Sequence, residues 1–377
     1  MKSRRSGPPT MPPVVLVVPG RLDTRTGGSI YDRRMVEGLR QRGWCVDVLE
    51  LDASFPYPTP AALEQADRAL AAVRAGTIAM VDSLALGAMP DLITREASRL
   101  RIVALVHLPL AATAGLDRDS AERFEQCEGR AFCAAELVVV TGRAALPLIA
   151  RYELAPDRVV VVEPGTDSAP LARGSGGDHA GEGSEAGRTR PLELLSVATV
   201  HPGKGHQMLL EALAAVPCQA WRLTCAGSLT RHPTTADRVR AMVTRLGLED
   251  RVSLVGDLDG PALAACYDAA DVFVLATQQE TYGMAVAEAL ARGLPVVATM
   301  TGAIPDLVGD GAGLLVPVGD TRALVDAFSS VLSSVLTDAD LRASLAEGAR
   351  RVRHRLPTWD ETSGHMAAAL DSLTAHG

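Results

Sequence analysis

Short apolar runs rich in Val, Ile and Leu alternate with longer segments rich in Ala, Leu and Arg along almost the whole chain. Runs of this length and composition suit strands that are buried on both faces, and the longer segments suit the helices that connect parallel strands. The alternation therefore predicts a doubly wound α/β fold built on parallel sheets.

The apolar runs fall into two sets of six. In the first half of the chain the predicted strands are Val14–Val18, Cys45–Leu49, Thr77–Val81, Ile102–Val106, Leu137–Val140 and Val159–Val162. In the second half they are Leu192–Val197, Trp221–Cys225, Val252–Leu254, Val272–Leu275, Pro295–Ala298 and Leu314–Val316. Two Rossmann-like sheets in succession are expected, because a chain of 377 residues exceeds the size at which one core stops growing.

The segment between the two sets is dense in Gly, Ser and charged residues and cannot bury enough surface to order itself. We therefore predict a disordered tail at 1–13, a first Rossmann-like domain at 14–168, a flexible linker at 169–191 and a second Rossmann-like domain at 192–356. A C-terminal helix at 357–377 follows, and its return to the first domain near Trp359 is a hypothesis. Ligands of such sheets bind outside the carboxyl ends of the strands, so we expect the site in a cleft between the two domains.

Composition disfavours several classes of partner. The net charge of -8 and the aromatic content of 3% offer neither an attractive field nor stacking surfaces for nucleic acid. No secretory signal and no apolar run of roughly 18 residues is present, which predicts a cytoplasmic protein. The six cysteines form no CxxC pair, so no disulfide framework or zinc site is expected. The cluster Lys2, Arg4 and Arg5 is interpreted as a solvated tail, with weak peripheral membrane contact as the alternative.

The most informative stretch reads ETYGMAVAE, from Glu280 to Glu288, directly after the predicted strand Val272–Leu275. The first carboxylate belongs to a strand-to-helix loop and the second to the following helix. Carboxylates accept hydrogen bonds from paired hydroxyls, and backbone N–H groups at a helix start face phosphate. The pattern favours a sugar-nucleotide site, although two acidic residues eight apart also arise by chance.

The surrounding run QETYGMAVAEALARGLPVVATMTGAIPDLV, residues 279–308, resembles the donor-binding segment of family 4 glycosyltransferases. This resemblance implies that donor contacts come from Glu280, Thr281, Tyr282, Gly283, Met284 and Glu288. The run LLSVATVHPGKGHQMLLEAL, residues 194–213, is similar to the segment in which the family places a lysine on the donor phosphates, here Lys204. Gly227 and Gly256 follow predicted strands and are expected to line the nucleobase and ribose, with plain turns as the alternative.

One departure from the family pattern concerns positive charge. Many members carry an arginine as a second phosphate ligand, but this chain has Thr199 and Gly203 at the two usual places. The candidates to replace it are Arg21, Arg25, Arg222 and Arg231.

In the first domain, PGRLDTRTGGSIYDRR resembles the opening of the family, where a Gly-Gly loop precedes the first helix. Gly27 and Gly28 would let the backbone approach a phosphate or an acceptor closely, with a flexible turn as the competing interpretation. His107 ends the fourth predicted strand, where the family often has a histidine near the reacting sugar; a lone histidine is otherwise more often structural.

The resemblance implies a GT-B fold with two Rossmann-like domains facing a central cleft. It also implies a retaining, metal-independent transfer of a hexose-type sugar from a nucleotide-sugar donor, with Glu280, His107 and Lys204 as catalytic residues and no other cofactor. The acceptor stays open among small molecules, saccharides and lipids. The alternatives are a nucleotide-sugar epimerase or hydrolase of the same fold, and a catalytically inactive sugar-nucleotide binder.

Overall fold

The computed structural model describes residues 12–176, 190–319 and 321–374. The predicted tail, including Lys2, Arg4 and Arg5, and most of the predicted linker lie outside the described residues. The described residues form two compact units, one made of those up to 165 together with those from 359 onward, and the other made of those from 166 to 358.

The first unit contains six strands among its described residues: β1 (Val14–Pro19), β2 (Val46–Leu51), β3 (Ile78–Asp82), β4 (Arg101–Val106), β5 (Leu137–Val140) and β6 (Val159–Val161). They form one parallel sheet in the order β2-β1-β3-β4-β5-β6. The helices are α1 (Gly27–Gln41), α2 (Pro60–Ala71), α3 (Ser83–Leu86), α4 (Pro90–Glu96), α5 (Arg118–Ala134) and α6 (Leu146–Ile149). The strands are buried on both faces because separate apolar cores pack on each side of the sheet.

The described part of the second unit forms another parallel sheet, in the order β12-β11-β10-β7-β8-β9. Its strands are β7 (Leu192–Val197), β8 (Trp221–Ala226), β9 (Val252–Gly256), β10 (Val272–Leu275), β11 (Val296–Met300) and β12 (Gly313–Pro317). Its helices are α7 (His206–Ala215), α8 (Pro233–Arg245), α9 (Gly260–Ala269), α10 (Met284–Ala291), α11 (Ile304–Val308), α12 (Thr321–Thr337) and α13 (Ala339–Val352). Every predicted strand is present in the two sheets, and no strand end differs from its predicted position by more than two residues.

The last helix, α14 (Trp359–Thr374), belongs to the first unit and packs along α1. A Cβ atom on Gly38 of α1 would lie 2.3 Å from the Cβ atom of Ser363, so the glycine lets the two helices approach closely. The Thr362 hydroxyl also donates to the Glu163 carbonyl at 2.9 Å. The chain therefore returns to the first unit after residue 358.

The linker prediction extends too far toward the N-terminus. Residues 169–176 belong to the second unit and pack against the rest of it: the Ala172 N–H donates to the Arg292 carbonyl at 2.9 Å, and Arg173 forms an ion pair with Asp268. The Ser175 N–H donates to an Asp271 carboxylate oxygen at 3.0 Å. These hydrogen bonds offset the low apolar content on which the prediction relied.

No described helix has both the length and the apolar character required to cross a bilayer.

Candidate active site

In the second unit the strand order reverses between β7 and β10, since β8 and β9 continue to one side and β11 and β12 to the other. In open α/β sheets, ligands bind outside the carboxyl ends of the strands at such a reversal, because the two following loops turn to opposite faces and leave a crevice. The loop after β7 carries Lys204, and the loop after β10 carries Glu280. Topology alone therefore directs both side chains to the position where this fold binds its ligands.

Lys204 and Glu280 form an ion pair at this edge. The Lys204 Nζ atom donates to the Glu280 Oε2 atom at 2.6 Å, and the two side chains are 29% and 16% exposed. A short bond between charged groups in a partly dry setting fixes both side chains, yet both still reach solvent and hence a ligand. An ammonium group and a carboxylate held in this way can meet a phosphate and a sugar hydroxyl, respectively.

Backbone contacts bring these two loops together. Gly205 has a φ of +66°, and a Cβ atom there would lie 1.9 Å from the Ala276 carbonyl oxygen, so no other residue fits without movement. Beside it, the Gln278 N–H donates to the Gly203 carbonyl at 2.8 Å. The neighbouring residue Lys204 is therefore held against the end of β10.

A third loop supports Glu280 from the side of β11. Gly302 has a φ of +56°, and a Cβ atom there would lie only 1.5 Å from the Glu280 carbonyl oxygen. The Thr301 hydroxyl donates to the Gln278 carbonyl at 3.3 Å. The carboxylate of Glu280 consequently projects from a backbone that is packed on two sides.

Glu288 is the fifth residue of α10, and it is oriented by a tyrosine that the sequence analysis did not identify. The hydroxyl of Tyr267, a fully buried residue of α9, donates to the Glu288 Oε2 atom at 2.9 Å. Burial, and then the charge of Glu288, raise the pKa of Tyr267 well above its ordinary value, so the phenol stays a donor. The guanidinium of Arg292 lies 4.4 Å from the centre of the same ring. No sequence motif marks Tyr267, because the contact joins two helices.

The residues between Glu280 and Glu288 differ in how far their side chains are exposed to solvent. Tyr282 is 4% exposed and its side chain packs with Ala287 and Ala303, and the expected donor contact of this residue stays a prediction. Gly283 has a φ of +100° and is the N-cap residue of α10, which begins at Met284. Thr281 and Met284 are partly exposed. Any contribution of Tyr282 would have to come from its backbone N–H group.

Gly227 and Gly256 lie at the carboxyl ends of β8 and β9. The Gly227 N–H donates to the Gly256 carbonyl at 2.9 Å, and a Cβ atom on Gly227 would lie 2.1 Å from the Ala198 carbonyl oxygen. Both glycines thus belong to the edge that carries Lys204. Backbone packing explains the glycine at 227, and a φ of +74° explains the one at 256, so neither identity requires a ligand.

The structure shows the surroundings of two of the candidates to replace the missing phosphate-binding arginine. Arg21 pairs with Asp23 at 2.7 Å in the first unit. Arg222, the second residue of β8, lies at the amino end of its strand, 3.8 Å from Glu193 of β7 and away from the edge that carries Lys204. His201, beside Lys204, has its ring centre 4.3 Å from that of His232. Burial, His232 and Lys204 together lower the pKa of His201 to about 4, so it is neutral at pH 7.

Lysine is rare in this chain. The chain contains 37 basic residues other than histidine, and only Lys2 and Lys204 among them are lysines. Arginine supplies the positive charge everywhere else, so Lys204 is the one lysine among the residues that the structure describes.

In the first unit the strand order reverses between β1 and β3. His107, directly after β4, places its Nε2 atom 3.0 Å from Asp32 Oδ1 of α1 and 3.6 Å from Asp82 Oδ2 at the end of β3. The two carboxylates are buried, and the histidine side chain is 20% exposed. Sequence analysis identified His107 but missed both aspartates: Asp32 lies in the quoted run at 19–34 but was not singled out there, and Asp82 lies in no quoted motif.

The ligand atoms of Asp32, Asp82 and His107 all lie within 4.8 Å of one another, so the three side chains could hold a metal ion. The imidazole ring already meets both carboxylates, however, and a proton on it supplies positive charge at the same point. We therefore assign none of the three as a metal ligand, and the expectation that the site holds no metal stays a prediction.

Gly27 and Gly28 are the first two residues of α1, whose N-cap is Thr26. A Cβ atom on Gly28 would lie 3.2 Å from His107 Cδ2, which is tighter than most carbon contacts. Gly28 therefore makes room for the histidine ring, and this contact is a structural reason for the glycine in addition to the ligand contact expected from the sequence.

Comparison with known proteins identifies the family of this chain. Residues 191–334 match the family model described as "Glycosyl transferases group 1". A D-inositol 3-phosphate glycosyltransferase of Corynebacterium glutamicum is 31% identical over 298 residues, which cover 75% of this chain and 69% of that protein. The enzyme of the same name from Salinispora arenicola is 33% identical over 254 residues, covering 64% of this chain and 56% of the relative.

Solved structures share the fold. Sucrose-phosphate synthase from Thermosynechococcus elongatus has a TM-score of 0.79 at 20% identity, covering 97% of this chain and all of that one. HepE of Anabaena in complex with UDP and glucose has a TM-score of 0.72 at 16% identity, covering 95% and 99% of the two chains. The fold is therefore GT-B, and with the sequence relatives it shows that this chain is a glycosyltransferase that belongs to family 4.

Proposed function

We propose that this glycosyltransferase moves a hexose-type sugar from a nucleotide-sugar donor to an acceptor hydroxyl with retention of configuration. The observation that carries the proposal is the pair formed by Lys204 and Glu280 at the strand-order reversal of the second unit. One cation and one carboxylate side by side match a sugar diphosphate, which presents anionic oxygens next to hydroxyl groups.

Lys204 would bind the diphosphate. As the bond between the anomeric carbon and the phosphate oxygen breaks, negative charge grows on the leaving nucleotide, and a preorganised ammonium group stabilises that charge more than it stabilises the ground state. The ion pair with Glu280 keeps Lys204 oriented before the donor arrives.

Glu280 would accept hydrogen bonds from hydroxyl groups of the transferred sugar, and Glu288 would accept them from the ribose. The Tyr267 hydroxyl already orients one oxygen of Glu288, so this carboxylate needs little reorganisation on binding. In this assignment neither glutamate forms a covalent intermediate.

The acceptor oxygen would attack the anomeric carbon from the face that the nucleotide leaves. The new carbon–oxygen bond forms as the carbon–phosphate-oxygen bond breaks, and the acceptor proton passes to a phosphate oxygen of the departing nucleoside diphosphate. Lys204 and loop N–H groups supply the charge stabilisation, so we propose that no divalent cation takes part. His107 would contact the donor sugar or the acceptor.

Two names among the related proteins suggest the first compounds to test. HepE was crystallised with UDP and glucose, and the sequence relatives are named for D-inositol 3-phosphate. We therefore place UDP-glucose first among donors and D-inositol 3-phosphate first among acceptors, with saccharide and lipid acceptors as further classes.

The test is a thermal-shift screen of UDP-, GDP-, ADP- and dTDP-sugars followed by a transfer assay with and without EDTA. A ligand present at one hundred times its Kd stabilises the folded state by about 2.7 kcal/mol, which gives a clear increase in Tm. The proposal predicts one preferred nucleotide, EDTA-resistant transfer and a product with the donor's anomeric configuration. Sugar release or epimerisation without acceptor would support the epimerase or hydrolase alternative instead, and binding without turnover on every acceptor would support the inactive binder.

A further inference from the structure

The first unit holds two buried carboxylates that share one partner. Asp32 and Asp82 are 2% and 4% exposed, and within the described part of the chain His107 is the side chain that forms an ion pair with either of them. Both carboxylates approach the same ring nitrogen, Nε2. Buried carboxylates at 3.0 Å and 3.6 Å from one nitrogen favour positive charge there, because an uncompensated buried carboxylate is costly.

The ring of His107 is fixed in this position by its neighbours. The ring of Tyr31 packs against it edge-on, with centroids 5.4 Å apart and planes at 81°. The backbone of α1 at Gly28 closes the side of the ring near Cδ2. Among the described residues no hydrogen-bond partner is found for the second ring nitrogen, Nδ1.

The acid–base chemistry of a histidine depends on whether one or two carboxylates lie at the same ring nitrogen. A single carboxylate that accepts Nε2–H would leave Nδ1 unprotonated, so the ring could take a proton as a general base. A second carboxylate at the same nitrogen favours the imidazolium, in which Nδ1 carries a hydrogen and can only donate. The arrangement around His107 is of the second kind.

We infer that Asp32 and Asp82 are positioning residues that keep His107 protonated, so that its Nδ1–H serves as a fixed hydrogen-bond donor to a substrate oxygen. The inference rests on the proposed function, in which His107 contacts the donor sugar or the acceptor. It adds that His107 is not the base in the reaction, in agreement with a phosphate oxygen taking the acceptor proton.

The electrostatic balance of the cluster supports this reading. Burial lowers the pKa of His107, but the charge and hydrogen bond of Asp32 and the charge of Asp82 outweigh it and raise the pKa to about 9. Burial raises the pKa of Asp82 to about 7, although His107 opposes that shift. The titratable groups that face the ring are Asp32 and Tyr31 from α1 and Asp82 from β3, and the Tyr31 hydroxyl donates to the Val162 carbonyl at 2.9 Å.

The experiment is an NMR titration of histidine-labelled protein, with His107 assigned by the His107→Gln variant, combined with pH profiles of transfer. In the wild type the His107 signal should stay in the imidazolium form until about pH 9. In Asp32→Asn it should titrate about two units lower, so that the protonated fraction at pH 8, and with it kcat/KM, falls about tenfold and recovers toward pH 6. Asp82→Asn should move the profile in the same direction, and Asp32→Glu should restore it.

Addition of the donor and the acceptor separately shows which of them supplies the oxygen, because only that compound shifts the Nδ1 resonance. A wild-type His107 that titrates near 6.5 overturns the inference, and this measurement needs no enzymatic activity. An asparagine variant that loses the same factor of activity at every pH also overturns it, since that result indicates a structural role only. Absence of transfer on every donor, with His107 protonated to pH 9 and shifted by a bound ligand, contradicts the proposed function and leaves this inference supported.

Discussion

Replacement of Lys204 by methionine removes the ammonium group and keeps most of the length of the side chain. In the wild type this group donates to Glu280 at 2.6 Å, and both side chains are less than one-third exposed. The variant therefore removes the charge that we assign to the departing diphosphate and leaves a mostly covered carboxylate without its partner.

The expected loss of activity follows from the cost of removing one preorganised charge-stabilising group, about 3 to 4 kcal/mol or 10²- to 10³-fold in kcat. The expected loss of stability is smaller. A hydrogen bond to a charged group contributes roughly 1.5 to 3 kcal/mol, and the partial exposure of Lys204 places this pair near the lower figure. Activity should fall far more than stability.

The assay measures kcat and KM with the preferred donor, together with urea unfolding. Arg222→Met is the matched control, because Arg222 is a basic residue of the same unit that lies 3.8 Å from a glutamate, away from the strand-end loops. The control should retain wild-type activity. A Lys204→Met protein that keeps more than about a tenth of the wild-type kcat/KM would refute the assignment of the leaving-group charge to this residue.

Three further results are expected. Gly205→Ala should lower Tm and activity more than Gly247→Ala, because both positions have φ near +65° but only Gly205 would place a Cβ atom against backbone, and equal effects would contradict the role of that contact. Tyr267→Phe should weaken donor binding, measured by calorimetry, by about 1 to 3 kcal/mol since it removes the donor that orients Glu288, and unchanged affinity would contradict that role. The pKa of His107 is raised to about 9 from an ordinary 6.5, so its contribution to stability is complete below pH 6.5 and disappears as pH rises to 9. The unfolding free energies of the wild type and of His107→Gln, measured with urea, should therefore converge over this range, and a difference that stays constant would contradict the raised pKa.

The sequence predicts the sheets well because buried parallel strands leave a strong local signal. Runs such as Val14–Val18 and Val272–Leu275 are apolar at every position, as strands covered on both faces must be. The linker was placed too early because composition does not reveal specific partners, such as the contact of Arg173 with Asp268. Order in that segment comes from tertiary hydrogen bonds, which no local pattern encodes.

The candidate site was predictable only where its residues lie in loops with a recognisable pattern. Lys204 and Glu280 were identified in this way, and the structure brings them into contact. Asp32 was missed because it lies on the inner face of an amphipathic helix, where one polar residue resembles any other. Tyr267 was missed because it lies in a short helix of mostly apolar residues, where an aromatic residue is an ordinary core residue. Tyr282 lies in the recognisable run, but its position in the core depends on packing that the motif does not specify.

The binding of a sugar diphosphate by Lys204 is the claim on which the proposed function depends, and the rarity of lysine in this chain makes it directly measurable. Protein labelled with ¹³C-lysine contains two labelled side chains, Lys2 and Lys204. Titration with the nucleotide sugar that stabilises the protein should shift the Lys204 Cε signal in a saturable manner, with the same Kd as the thermal-shift screen, and leave the Lys2 signal unchanged. A donor that binds and stabilises the protein without moving the Lys204 signal would contradict the account.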